Sequence, residues 1–280
     1  EIIDPSCIIM KNDENMTLDR CGYFGNDFEV HVKILKTNFT NYVNESNGGA
    51  ILIGNCGFEC ISVNFTDCIS INGGGGAIYL KNSYSLKYNV TINNTWFTRC
   101  EAAFGGACYI YSSSETNEVL FDSCKFWNNT VNKNGNTPEF KQNGLIGGSS
   151  LFITARNGNV THSRFINKKG SQIALKIYNK FDDVSSAKQL DSISTSSNSN
   201  SFSITDCEFA QEQKSQSIGM IYVSGNDSGD VEISDCKFKG KLSKGSHYIE
   251  GKLLEKDKQK LQIKSCEFES EQNDSINIEL

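Results

Sequence analysis

The chain has 280 residues, 38% of them hydrophobic and 21% charged, with 27 Lys and Arg against 33 Asp and Glu. A net charge of -6 with only four arginines (Arg20, Arg99, Arg156, Arg164) excludes a nucleic-acid backbone as partner. No apolar stretch approaches the roughly 18 residues needed to cross a bilayer, so no membrane span is expected in this segment.

Two prolines stand against 24 glycines. Ordinary loops use both residues as punctuation, so this chain needs glycine for its conformation rather than as general turn material. The reason emerges from a repeat read along the chain. Residues 1–31 are expected to form an N-terminal cap or partial coil: Met16 and Leu18 with Cys21 and Tyr23 imitate the repeat but lie too close to the next copy to make a full coil.

From residue 32 onward one frame recurs: two apolar residues separated by one, two polar residues, then Cys or a small residue, any residue, and an aromatic. Val32/Ile34 with Phe39, Phe58/Cys60 with Phe65, Val90/Ile92 with Phe97, and Val119/Phe121 with Phe126 open the series. Val160 with Phe165 follows, then Phe202/Ile204 with Cys207 and Phe209, Val231/Ile233 with Cys236 and Phe238, and Leu261/Ile263 with Cys266 and Phe268. The Phe-to-Phe spacings are 26, 32, 29, 39, 44, 29 and 30 residues. After each copy comes a second apolar alternation, clearest in Gly48-Gly49-Ala50-Ile51, Gly75-Gly76-Ala77-Ile78 and Gly105-Gly106-Ala107-Cys108.

The alternation has period 2, which excludes a helical repeat of similar length. A unit of about 30 residues with three short strands cannot bury its inner face alone, but coils stacked about 4.8 Å apart bury one another. The expected fold is therefore all-β, a right-handed parallel β-helix of about eight coils with three short strands per coil, occupying residues 32–280. Insertions at about 130–146 and 168–201 interrupt the period, and the second is Ser-rich between Ser192 and Ser203. Loops on a rigid rod are common carriers of specificity, and equally they are tolerated insertions.

The cysteines are odd in number, eleven, and Cys21, Cys124, Cys207, Cys236 and Cys266 share one frame position. A shared inward position favours packing over bridging. No cofactor or metal is expected. Cys56 and Cys60 lack a companion pair for zinc, and Asn226-Asp-Ser-Gly-Asp230 lacks the bidentate Glu of a calcium loop. Ten Asn-x-Ser/Thr positions are candidate N-glycosylation acceptors: Asn15, Asn38, Asn44, Asn64, Asn89, Asn93, Asn128, Asn159, Asn226 and Asn273. The same residue types also suit coil corners, where they bond local backbone.

The Gly-Gly-Ala-Ile blocks, with Phe126-Trp-Asn-Asn129 as a Phe-x-x-Asn block, resemble the repeats of the polymorphic outer-membrane protein family, found in chlamydial surface proteins and in β-helical surface proteins of some parasitic protists. The resemblance covers roughly residues 32 to 280. Most units here carry Cys or Thr where the family has Asn. It implies a cell-surface or secreted, non-enzymatic β-helix used in adhesion, with a host-surface protein or a glycan as partner. The membrane barrel of the family's bacterial members has no counterpart among these residues.

The alternative is a polysaccharide-active enzyme of the pectate lyase-like β-helix class. Such chemistry needs a convergent acid, base and cation set. Asp182-Asp183 is the only adjacent aspartate pair, Asp122, Asp206 and Asp235 read as corner residues, and His31, His162 and His247 are scattered. No catalytic residue is therefore assigned.

Overall fold

The structure is a computed structural model. It describes residues 21–24, 31–82, 88–112, 117–132, 148–167, 175–179, 200–215, 220–225, 229–242, 247–253, 260–269 and 276–279. Every strand pairing among these residues is parallel, and strands join in the order in which the chain visits them once per coil. The fold is a parallel β-helix.

Three long sheets form its walls. The first sheet runs in eight strands from His31–Leu35 to Leu261–Lys264. The Phe sheet runs in eight from Asn38–Thr40 to Glu267–Glu269. The Gly-led sheet runs in nine from Cys21–Phe24 to Ile276–Glu279.

The inward Phe residues explain why the repeat is so regular. Phe39, Phe65, Phe97, Phe126, Phe165, Phe209, Phe238 and Phe268 form one continuous column with ring centroids 4.6 to 5.1 Å apart and planes within 9° of parallel. The strand spacing dictates that distance, and offset stacking is the arrangement aromatic rings accept at it. All but Phe268 are essentially fully buried.

The Gly-Gly pair has two separate causes. Gly75 has φ +66, and a Cβ there would strike the Ile78 carbonyl oxygen; Gly76 has no room because the Gly106 carbonyl of the next coil presses against it. The first glycine turns the chain, and the second lets coils close.

Four features differ from the sequence expectation. The first four coils carry a fourth wall, a sheet of two-residue strands: Val43–Asn44, Ile69–Ser70, Glu101–Ala102 and Thr130–Val131. Among the described residues, three strands per coil therefore holds only for the later coils. Second, Cys21 does not share the position of Cys124: it lies in the Gly-led sheet, in register with Ile51 one period later. Third, the insertion expected at 168–201 is divided: the Gln172-Ile-Ala-Leu175-Lys-Ile177 alternation reads in sequence as a later copy of the Gly-led segment, and Leu175–Asn179 is a strand of that sheet. The remainder of both insertions, residues 133–146, 168–174 and 180–199, lies outside the described residues, as do Asp182 and Asp183. Fourth, the Gly-led sheet carries a buried outer column. Tyr79, Tyr109, Phe152, Lys176 and Tyr222 are in register on consecutive coils, all but Tyr222 at 9% exposure or less. Lys176 Nζ lies 5.0 Å from the Phe152 ring centre and 5.2 Å from that of Tyr222. Burial pushes its amine down to about 7.

The shared cysteine position is a corner device. In each coil the chain leaves the first sheet through a residue with φ between 45° and 57°: Lys36, Ser62, Asn94, Ser123, His162, Asp206, Asp235 and Ser265. The next side chain packs inward in most coils, and where it is Thr95, Cys124, Cys207, Cys236 or Cys266 it donates to two carbonyls around the turn, while Val63 fills the place without a donor. Cys124 donates to the carbonyls of Asp122 at 3.3 Å and Ile92 at 3.4 Å, and Cys207 does the same with Thr205 and Val160. Thr95 makes equivalent bonds to Asn93 and Cys60, so a hydroxyl serves at this position as a thiol does. The nine cysteines whose side chains are described carry free thiols. Burial pushes the thiols of Cys56 and Cys124 up to about 12, which keeps them protonated and unreactive.

Candidate functional site

The outward residues of the same corner form a column along the rod, because each left-handed turn aims its side chain at solvent and the coils stack in register. On coils three to six this column, with the adjoining outer face of the Phe sheet, gathers charged and aromatic groups that are far apart in sequence.

His162 sits at its centre. Its Nδ1 lies 2.7 Å from Asp122 Oδ1 on the preceding coil, and its Nε2 lies 3.9 Å from Asp206 Oδ2 on the following coil. Asp122 also accepts hydrogen bonds from Thr161 Oγ1 at 2.8 Å and Ser123 Oγ at 3.3 Å. Partial burial works to raise the Asp122 carboxyl, but the bonds from His162, Thr161 and Ser123 outweigh it and hold the group below its usual range. The hydrogen bond to Asp122, with the charges of both aspartates, raises His162 above its ordinary value. This side chain is 59% exposed and that of Asp206 is 67% exposed. The trio can hold and exchange a proton, but it does so in open solvent, where charge stabilisation is weak.

Beside it, Trp96, Lys125, Arg164 and Glu208 are in register on the outer face of the Phe sheet. Lys125 Nζ stands 5.1 Å from the Trp96 ring centre and 4.8 Å from that of Trp127, so the ammonium lies between two indoles. Trp96 is 50% exposed. Arg164 Nε donates to Glu208 at 2.8 Å. On the far edge, Arg99 grips Asp67 through two bonds of 2.7 and 2.6 Å. The result is a rigid, solvent-open surface of two indoles, cations and carboxylates, suited to contact.

The candidate acceptors separate by orientation. Asn38, Asn64 and Asn89 are exposed, with Asn64 Nδ2 donating to Asn38 Oδ1 at 2.8 Å on the neighbouring coil. Asn93, Asn128 and Asn159 are half-buried, and Asn159 donates to Glu118. Asn44 faces inward at 8% exposure and its amide donates to the Gly48 carbonyl at 3.1 Å, so its nitrogen is not available for a glycan in the folded chain. Asn15, Asn226 and Asn273 lie outside the described residues.

Reading the histidines along the chain misses the trio, because Asp122, His162 and Asp206 are about one coil apart. Their common signal is offset from the inward Phe: His162 and Asp206 each lie three residues before theirs, and Asp122 lies four before Phe126. Among the described residues no group of three or more Cys, His, Asp or Glu could hold a metal ion, and no helix is long and apolar enough to cross a membrane. No protein-family model, curated protein or solved structure matches the chain.

Proposed function

We propose that this chain is a non-enzymatic β-helix of the cell surface or secreted space that works by contact, as an adhesin of the polymorphic outer-membrane type. The observation that carries the reading is the Trp96–Lys125–Trp127 cluster. An exposed indole on a rigid sheet offers a flat apolar face to the C–H side of a sugar ring or to a protein side chain, at little entropic cost. Lys125 and Arg164 supply donors beside it, and a host-surface glycan is the partner this chemistry favours. The Gly-Gly-Ala-Ile and Phe-x-x-Asn blocks support the surface location. Asn38, Asn64 and Asn89 are the acceptors this reading expects to carry glycans.

Binding to a panel of immobilised host glycans and host-surface proteins tests the proposal. Trp96→Ala and Trp127→Ala should each lower binding at least tenfold with an unchanged melting temperature. Undiminished binding by both variants would move the contact surface elsewhere.

A second reading is favoured by one observation, the Asp122–His162–Asp206 trio: a polysaccharide-active enzyme that uses His162 for proton transfer. Release of new ends from uronate polymers, abolished in His162→Ala, would establish it in place of adhesion.

A further inference from the structure

On the outer face of the Phe sheet, charged residues in register on adjacent coils attract one another almost throughout. Arg164 Nε lies 2.8 Å from Glu208, Lys237 lies 3.4 Å from Glu267, and Lys239 lies 3.6 Å from Glu269. Lys125 and Arg164 break the alternation, because two cations stand in register on consecutive coils. Like charges set opposite each other in a sheet repel and cost stability. Among the described residues no carboxylate pairs with Lys125. Its ammonium stands 5.1 Å from the Trp96 ring centre and 4.8 Å from that of Trp127, contacts that position the charge without neutralising it. Glu208 does not cancel the pair, since Lys239 Nζ draws on it too at 3.9 Å. At the adjoining corner Asp122 and Asp206 face His162 instead.

We infer, resting on the contact reading above, that the ligand of this surface is an acidic sugar whose ring lies on Trp96 and whose carboxylate or sulfate bridges Lys125 and Arg164. Trp96, Lys125 and Arg164 hold the same outward position on three consecutive coils, about 4.8 Å apart from one to the next. Trp96 is 50% exposed and the Arg164 side chain 54% exposed, so both ends of this line are open to a ligand. A pyranose on the indole therefore directs an acid group on its rim along the column towards the two cations.

The donors suit such a group. Arg164 gives its Nε to Glu208 and keeps its two Nη groups for another acceptor. One acid oxygen can accept from these and a second from the Lys125 ammonium, both as charge-assisted bonds. The bound anion would then relieve the repulsion between the two cations. A neutral sugar would stack on Trp96 but leave that repulsion in place, so charge complementarity selects the acidic ring.

Immobilised sialyllactose, sulfated lactose and lactose test this, since they share one neutral core and differ in the acid group. The 280-residue chain is made without glycans, because Asn64 is in register with Trp96 and a glycan there would compete. Sialyllactose, sulfated lactose or both should bind at least about tenfold tighter than lactose, and the margin should shrink as salt is added; whichever binds tighter identifies the acid group. Lys125→Gln and Arg164→Gln should each abolish the preference, whereas Lys125→Arg should keep it, an outcome that lost folding would not give. Equal binding of all three sugars would overturn the inference, and if Trp96→Ala still weakened them the contact reading would stand. Binding of none of the sugars would also overturn it, leaving host-surface proteins to test the contact reading. Tighter binding of an oligoglutamate peptide than of either acidic sugar would overturn it in favour of an acidic protein segment.

Discussion

The inner and outer faces of the Phe sheet are built by the same strands and obey different rules. Inward, every coil presents Phe, because the ring of one coil is the floor for the next and a mismatch would leave a void between rungs about 4.8 Å apart. Outward, the column beginning at Asn38 continues through Asn64, Trp96, Lys125, Arg164, Glu208, Lys237 and Glu267, with no residue type dominating. Packing constrains the first column; only neighbouring charge constrains the second. Stability is therefore concentrated in the first column, the contact surface proposed above lies on the second, and substitutions can separate them.

The sharpest break is in the stack itself. Phe165→Ala removes a buried ring with neighbours on both sides and should cost about 3–5 kcal/mol by cavity formation. Phe268→Ala, at the half-buried end, should cost less than half as much. Urea unfolding of both variants checks the ratio, and equal losses would mean that the last rung is as closed as the others. Outward, Trp96→Ala should change stability by less than about 0.5 kcal/mol.

Lys176 blurs the division, being outward yet 5% exposed. Burial lowers its pKa to about 7. The unfolded chain then holds more protons than the folded one between about pH 7 and the ordinary lysine value of roughly 10.4. Stability should rise with pH across that window, by up to about 1.4 kcal/mol per unit from this group. The two ring faces favour the charged amine and reduce that slope. Subtracting the stability of Lys176→Met, measured by urea unfolding at pH 7, 8 and 9, isolates the contribution; a pH-independent difference would place the amine in contact with solvent.

A smaller effect tests the corner. Cys124→Ala removes the thiol donor from the Ile92 and Asp122 carbonyls, the second of which keeps the Asn94 N–H, and should cost about 1 kcal/mol, whereas Cys124→Thr should restore most of it, as Thr95 does one coil earlier. A native-state thiol reagent should label few of the nine described cysteines, and nearly all after denaturation.

The smallest effect lies wholly outside. The raised His162 contributes stability that is complete below the ordinary histidine value of about 6.5 and is lost as pH climbs through its folded value. The lowered Asp122 contributes stability present above the usual carboxyl range and lost as pH falls through its depressed value. Asp122→Asn should return the His162 titration, followed by NMR, towards about 6.5. A midpoint that does not move would dissolve the trio.

The repeat is legible in sequence because inward alternation is local: Ile204, Cys207 and Phe209 declare their faces within one strand and one corner. The short fourth wall is not, since a two-residue strand such as Val43–Asn44 has too little length to alternate. Cys21 shows the converse hazard, a frame match without the frame's partner, because strand pairing one period away decides the wall.

From the residues alone follow the all-β class, the coil period and the aromatic column, all consequences of steric rules acting over a few residues and repeated along the chain. Only the stacked coils decide that the Gly106 carbonyl presses on Gly76, that Asn44 points inward, that His162 lies between two aspartates, and that Lys125 stands near both Trp96 and Trp127. Those facts depend on which coil lies above which, and register between residues some thirty positions apart is set by the packing of the whole rod.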